Sequence, residues 1–363
     1  MADMTRIEGA VLDIDLTAIA WNWRYLTTVH AGAVAAVLKA DAYGLGAAQV
    51  APSLLAAGCR HFFVAHLSEA LAIRAALPGA MLAVLNGLIP GSESVYIEHG
   101  IVPVLGSLAE VDRWTAQARR VGQALPCLLH VDTGMNRLGL DARELAALAA
   151  DPARLNGSDV RYIMTHMVSA ETPGDPLNAI QRDRFARACA MLPPAPRSLA
   201  NSSGIFLGPA WASDLARPGA ALYGINPTSN RPNPMRPAVR LRARVLQTRD
   251  IATGETVGYN ATWRAARPSR IATVSVGYAD GWMRALSGNG YALFDGAPVP
   301  LVGRVSMDLT TFDVTDHPAI SAGTWLELMG PNLTPEQVAE AAGTNAYEIL
   351  TSLGHRYARE YAA

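Results

Sequence analysis

The stretch AVLKADAYGLG, residues 36–46, ends an apolar run on one amine, Lys39, and passes at once through Asp41, Tyr43, Gly44 and Gly46. The chain is poor in lysine and draws most of its positive charge from arginine. The run before Lys39 is apolar on both faces, as a strand buried in a parallel sheet must be. The same texture recurs between residues 31 and 225. Candidate strands are AVAAVLK (33–39), HFFVAH (61–66), AMLAVLN (80–86), GIVPVLG (100–106), CLLHVDT (127–133), VRYIMTH (160–166), RSLAN (197–201), and LARPG or ALYGI within 215–225. Amphipathic runs separate them, among them LSEALAIRAAL (67–77), LAEVDRWTAQARRVG (108–122), ARELAALAA (142–150) and IQRDRFARACAML (180–192). Strands alternating with helices make right-handed βαβ units and a parallel sheet. Eight of them in ~200 residues fit a (β/α)8 TIM-type barrel, with a doubly wound open sheet as the alternative.

The proline-rich RPNPMRP (231–237) breaks this pattern. Beyond it, short alternating runs such as VRLRARVLQ, RIATVSVGYA, YALFDG and WLELMG predict a mainly antiparallel β domain, with a helical tail in TPEQVAEAAG and AYEILTSLG. VLDIDL (11–16) is surplus to the barrel count and is assigned to that second domain. The expected division is therefore a barrel over 17–232 and a β domain built from 1–16 and 233–363.

Of the 363 residues, half are hydrophobic and 17% are charged, which suits two domains with large cores. A net charge of -1 with mixed signs offers no basic stripe for nucleic acid. No apolar run is long enough to span a membrane, and MADMTRIEG has no secretory pattern, so a cytoplasmic protein is expected. Cys59, Cys127 and Cys189 are scattered and odd in number, reading as reduced core thiols rather than disulfides or metal ligands.

In a barrel of this type the C-terminal strand ends form the active-site face. Polar residues collect there. Strand five closes on HVDTGMNRLG (His130, Asp132, Asn136, Arg137), strand six on MTHM (His166), strand seven on ANSSG (Asn201 to Gly204), and strand eight on ARPGAALYG (Arg217, Gly219, Tyr223). A desolvated lysine on this rim favours its neutral amine, which can attack a carbonyl. NSSG and RPGA offer backbone N–H groups to a phosphate. An amine beside a phosphate cradle points to pyridoxal 5′-phosphate (PLP). An arginine such as Arg217 facing the pyridine nitrogen would leave the ring a weak electron sink, which suits proton transfer alone.

V-L-K-A-D-A-Y-G-L-G resembles the lysine motif of the alanine racemases. H-V-D-T-G-M-N-R-L-G, M-T-H, N-S-S and R-P-G-A-A-L-Y-G match later landmarks in order, as do G-E-T-V-G-Y-N-A-T-W (254–263), V-G-Y-A-D-G-W-M-R (276–284) and V-G-R-V-S-M-D (302–308). The resemblance implies interconversion of L- and D-alanine by two bases in a homodimer with shared sites. By it, Lys39 tethers PLP and is one base, and Tyr259 of the partner subunit is the other. It implies that Tyr43, Leu85, His166, Asn201, Ser202, Arg217, Gly219 and Ala220 surround the cofactor. Arg137 and the backbone of Met307 would hold the substrate carboxylate, with Tyr278 and Asp308 near the mouth of the site. Two opposed bases are what racemisation at a planar carbon needs. Free tyrosine titrates near 10, so a phenol in that role needs cationic surroundings.

The chain departs from the family pattern in places. His130 stands where many members carry a carbamylated lysine that pairs with Arg137. Imidazole cannot be carbamylated in that way, so Arg137 is expected to find another partner: Asp132, water or chloride. His355 falls where a gating tyrosine is common, with Tyr357 two residues on, and some tolerance for serine is expected. Leu45 and Ser306 replace the family's common histidine and cysteine. Competing readings are a broader amino-acid racemase, a PLP-dependent decarboxylase, a non-catalytic PLP carrier and a sugar-phosphate barrel. Arg217 and V-G-Y-N-A-T-W argue against the decarboxylase, and the second domain argues against the carrier.

Overall fold

A computed structural model describes residues 8–229 and 231–363. MADMTRI and Asn230, which the division above assigns to the β domain and the barrel, lie outside the described residues. Seven parallel strands stand side by side in chain order: Ala36–Val37, His61–Val64, Met81–Val84, Val102–Leu105, Leu125–His130, Ser158–Met164 and Arg197–Ser198. Leu215–Ala216 pairs in parallel with Ala33–Val34, and Arg217 N donates to Ala200 O at 2.8 Å. The ring therefore closes, which excludes the open sheet. LARPG supplies the eighth strand. The alternative, ALYGI, is no strand: its first residues belong to a 3-10 turn, Ala220–Tyr223, whose buried Tyr223 hydroxyl donates to Val37 O at 2.8 Å.

The strands are shorter than their apolar runs. Lys39, His166 and Asn201 fall just beyond them, on the C-terminal rim. Helices Leu108–Val121 and Ala142–Ala150 are capped by the Ser107 and Asp141 side chains, so their starts are written locally.

In the second domain the long strand Val239–Ile251 pairs antiparallel with Ala10–Asp15, Trp325–Met329 and Ser269–Val274. Tyr291–Phe294 and Ala297–Pro300 form a hairpin across Asp295-Gly296, both at positive φ. One pairing breaks the antiparallel rule: the C-terminal strand Ala358–Ala362 lies parallel to Ala10–Asp15. One hydrophobic core runs continuously from the barrel into this sheet, from Leu12 and Phe62 to Leu328 and Ile349. The thiols of Cys59, Cys127 and Cys189 are free and buried in it.

Candidate active site

Lys39 does not end a strand. It opens a turn in which Ala40, Asp41, Ala42 and Tyr43 all take left-handed backbone angles, with φ of 53, 54, 55 and 56°. None of these is glycine, and left-handed helix costs L-residues about 1–2 kcal/mol each. The surroundings compensate. Glu69 accepts from Ala40 N at 2.6 Å, Asp41 Oδ1 accepts from Ala47 N at 2.7 Å, and Arg359 donates to Gly44 O at 2.6 Å. A Cβ at Gly44 would lie 2.3 Å from Leu350 O, so the tail of the second domain presses directly on the turn.

The turn delivers Lys39 and Tyr43 into one cavity of about 480 Å3, a size suited to a small organic molecule. The cavity is also lined by Leu85, Arg137, His166, Asn201, Ser202, Arg217, Gly219 and Ala220. All ten barrel residues that the resemblance assigns to cofactor or substrate line it, whereas the rim residues His130, Asp132, Asn136 and Tyr223 do not. Lys39 Nζ lies 6.0 Å from the Tyr43 ring centroid. Burial pushes the Lys39 amine below its ordinary range, Arg137 adds to the effect, and Glu69 opposes it. Burial also raises the Tyr43 phenol to about 12, keeping it a hydrogen-bond donor. A Cβ at Gly219 would sit 2.3 Å from Tyr43 Oη, so only glycine allows that approach. Ser202 Oγ accepts from Gly219 N at 3.1 Å and Ala221 N at 3.2 Å, which leaves its own proton to donate outward. This small-residue cradle under a phenol and beside an amine fits the phosphate and aldehyde ends of PLP.

Arg217 is buried and donates to Ser198 Oγ and Thr165 O. Gln181, fully buried, holds the next loop by donating to His166 O and accepting from Val168 N, at 3.0 and 2.8 Å. Asp132 does not orient Arg137. Its carboxylate is spent on the turn, accepting from the N–H groups of Gly134, Met135 and Asn136. Among the described residues no side chain pairs with or hydrogen-bonds the Arg137 guanidinium, so that expectation of Asp132 is corrected.

Desolvation, with Arg217 and Arg137 adding like charge, lowers His166 from 6.5 to about 3; desolvation and Arg217 lower His130 to about 4. Both imidazoles stay neutral in the folded chain at pH values where the unfolded chain protonates them. The unfolded state then binds more protons, so stability falls as pH drops from about 6.5 towards about 4. We expect a loss of a few kcal/mol in that window, at about 1.36 kcal/mol per unit of displacement. Urea unfolding across it is the measurement, and His130→Asn should flatten the slope. An unchanged slope in that variant would contradict the assignment.

Tyr259, Tyr278, Met307 and Asp308 do not line this cavity. They lie exposed on the second domain, Tyr259 at 67% and Met307 at 54%. Tyr278 N and Ala279 N donate to Ser306 O and Met307 O, both at 2.9 Å, and Arg356 bridges Asp280 and Asp308. His355 is exposed and Tyr357 buried, and neither lines the cavity. That tail instead contributes Tyr347 and Thr351, with Tyr347 donating to Glu171 at 2.5 Å. The sequence reading passed over both, although their i, i+4 spacing in AYEILTSLG places them on one helix face.

Residues 14–227 match the family model described as alanine racemase, N-terminal domain, and residues 238–361 match alanine racemase, C-terminal domain. The chain belongs to the alanine racemase family. An alanine racemase of Acidiphilium cryptum is 58% identical over 348 residues, covering 96% of this chain and 97% of that one. One from Brucella abortus is 47% identical, covering 97% and 93%. The crystal structure of the Bartonella henselae alanine racemase, with covalently bound pyridoxal phosphate, superposes with a TM-score of 0.95 at 42% identity, covering 98% of this chain and all of that one. Family membership accounts for the two-domain plan.

Proposed function

We propose that this protein is a PLP-dependent alanine racemase that interconverts L- and D-alanine with two bases, Lys39 and Tyr259. The observation that carries this reading is the placement of Lys39, the sole lysine in 363 residues, in the cavity beside the Tyr43, Ser202 and Gly219 cradle. When bound, PLP supplies an electron-withdrawing ring that acidifies Cα. The chain's own groups do the rest. The Lys39 amine tethers the cofactor and takes or returns the proton on one face of Cα. Tyr43, Ser202, Gly219 and Ala220 hold the phosphate. Arg217 would face the ring nitrogen, and His166, Asn201 and Leu85 would surround the ring. Arg137, free of hydrogen-bond and ion-pair partners among the described residues, would hold the substrate carboxylate with the backbone of Met307 of the partner subunit.

Tyr259 of the same chain does not line the cavity that holds Lys39. Tyr259, Tyr278, Met307 and Leu309 are large apolar side chains left exposed on the second domain, as residues of a contact surface are. We read it as the part of a homodimer that enters the partner's cavity, carrying Tyr259 with it and placing Tyr278 and Asp308 at the mouth. Cytoplasmic supply of D-alanine to cell-wall precursors, and some tolerance for serine, belong to the same proposal.

The test has two parts. Borohydride reduction should fix PLP to the protein, and with one lysine present the attachment point needs no mapping. The protein should also abolish the optical rotation of L-alanine while incorporating solvent deuterium at Cα. A protein that takes up no PLP, or that leaves L-alanine optically intact, would overturn the reading.

A further inference from the structure

The left-handed turn raises a question that the roles above do not answer: what holds its first residue? Its later part is well braced. Arg359 donates to Gly44 O, Tyr361 Oη donates to Leu45 O at 3.2 Å, and Asp41 caps Ala47. At the opening residue, Ala40, next to Lys39, the only side-chain bond among the described residues comes from Glu69. Glu69 lies on the neighbouring helix Leu67–Ile73 and uses both carboxylate oxygens. Oε2 accepts from Ala65 N at 2.8 Å and His66 N at 2.9 Å, at the end of the adjacent barrel strand. Oε1 accepts from Ala40 N at 2.6 Å. One carboxylate thus ties the backbone beside Lys39 to the neighbouring strand end, with charge-assisted bonds throughout.

We propose that Glu69 is a positioning residue, stapling Ala40 into its left-handed conformation and so aiming both Lys39 and Tyr43 into the cavity. Glu69 itself does not line that cavity. The inference rests on the cofactor reading of the cavity. Without the staple, Ala40 can leave the costly conformation for the ordinary right-handed or extended regions. Lys39 and Tyr43 lie on either side of it, so the amine and the phenol would then lose their common aim.

The experiment measures PLP binding by titrating the cofactor-stripped full-length protein, with thermal unfolding in parallel. Glu69→Ala should weaken PLP binding about tenfold or more, the scale of losing hydrogen bonds to a charged acceptor. Glycine enters left-handed backbone without a steric penalty. Adding Ala40→Gly to the Glu69→Ala variant should therefore recover most of the lost affinity. A residue that only stabilised the Leu67–Ile73 helix would show no such rescue. Wild-type affinity in Glu69→Ala, or a loss that Ala40→Gly does not repair, would overturn the proposal. If Glu69→Ala fails to fold, Glu69→Gln serves. It keeps the packing and one acceptor oxygen, and it should show an intermediate loss; wild-type binding in that variant would equally overturn the proposal. A wild-type protein that binds no PLP sinks the cofactor reading instead, so the two failures are distinguishable.

Discussion

Tyr259→Phe should abolish racemisation while leaving PLP on Lys39. Removing a general base costs on the order of 10^2 to 10^4 in rate. The exposed Tyr259 hydroxyl has no protein partner among the described residues, so stability should barely change. The loss should also be one-sided. With Lys39 intact, deuterium exchange at Cα should survive from one enantiomer and vanish from the other. The decisive version mixes two dead proteins. If the bases come from different subunits, a dimer of one Lys39→Ala chain and one Tyr259→Phe chain holds one doubly damaged site and one intact site. Random assortment makes half of the dimers mixed, so mixing, unfolding and refolding the pair should restore about a quarter of wild-type activity. No recovery, with mixed dimers demonstrably formed, would place both bases in one chain, contrary to the proposal.

The barrel was legible because its strands carry a hydrophobic signal on both faces and its polar residues cluster at strand ends. What the sequence hid was backbone conformation imposed from a distance. Nothing in A-D-A-Y announces a left-handed turn, since three of its residues are poor choices for positive φ. The turn exists because Glu69, Arg359 and the Leu350 carbonyl press on it from helices and a strand far away in the chain. The strand Ala358–Ala362 was likewise unread. AREYA is short and polar, and its place is set by parallel pairing with Val11–Asp15 rather than by its own pattern. The Asp132 expectation failed for a related reason. An aspartate before T-G-M-N has three turn N–H groups within reach, and these local donors take up its carboxylate in place of the guanidinium five residues on.

Arg217→Gln should cost about 10^2-fold or more in racemisation, the scale of losing one preorganised electrostatic partner, while costing little in folding stability. The two effects separate because of how Arg217 is buried. Desolvation lowers its guanidinium to about 10, and among the described residues no carboxylate pairs with it. Its donors satisfy Thr165 O and Ser198 Oγ, and glutamine can replace only part of that. Against the lost bonds stands the removal of an unpaired buried cation, which is itself expensive. The fold therefore gains little from this charge. A charge that the fold does not need, facing a cavity, is there for what enters the cavity. The same substitution carries an internal check. Arg217 helps to depress both His166 and His130, so without it both imidazoles should titrate closer to 6.5. The gap between folded and unfolded protonation narrows, and the loss of stability below about 6.5 should become shallower than in the wild type. Urea unfolding against pH reads this without cofactor or substrate. An Arg217→Gln variant with undiminished racemisation and an unchanged acid slope would show that the guanidinium acts on neither the ring nitrogen nor the histidines.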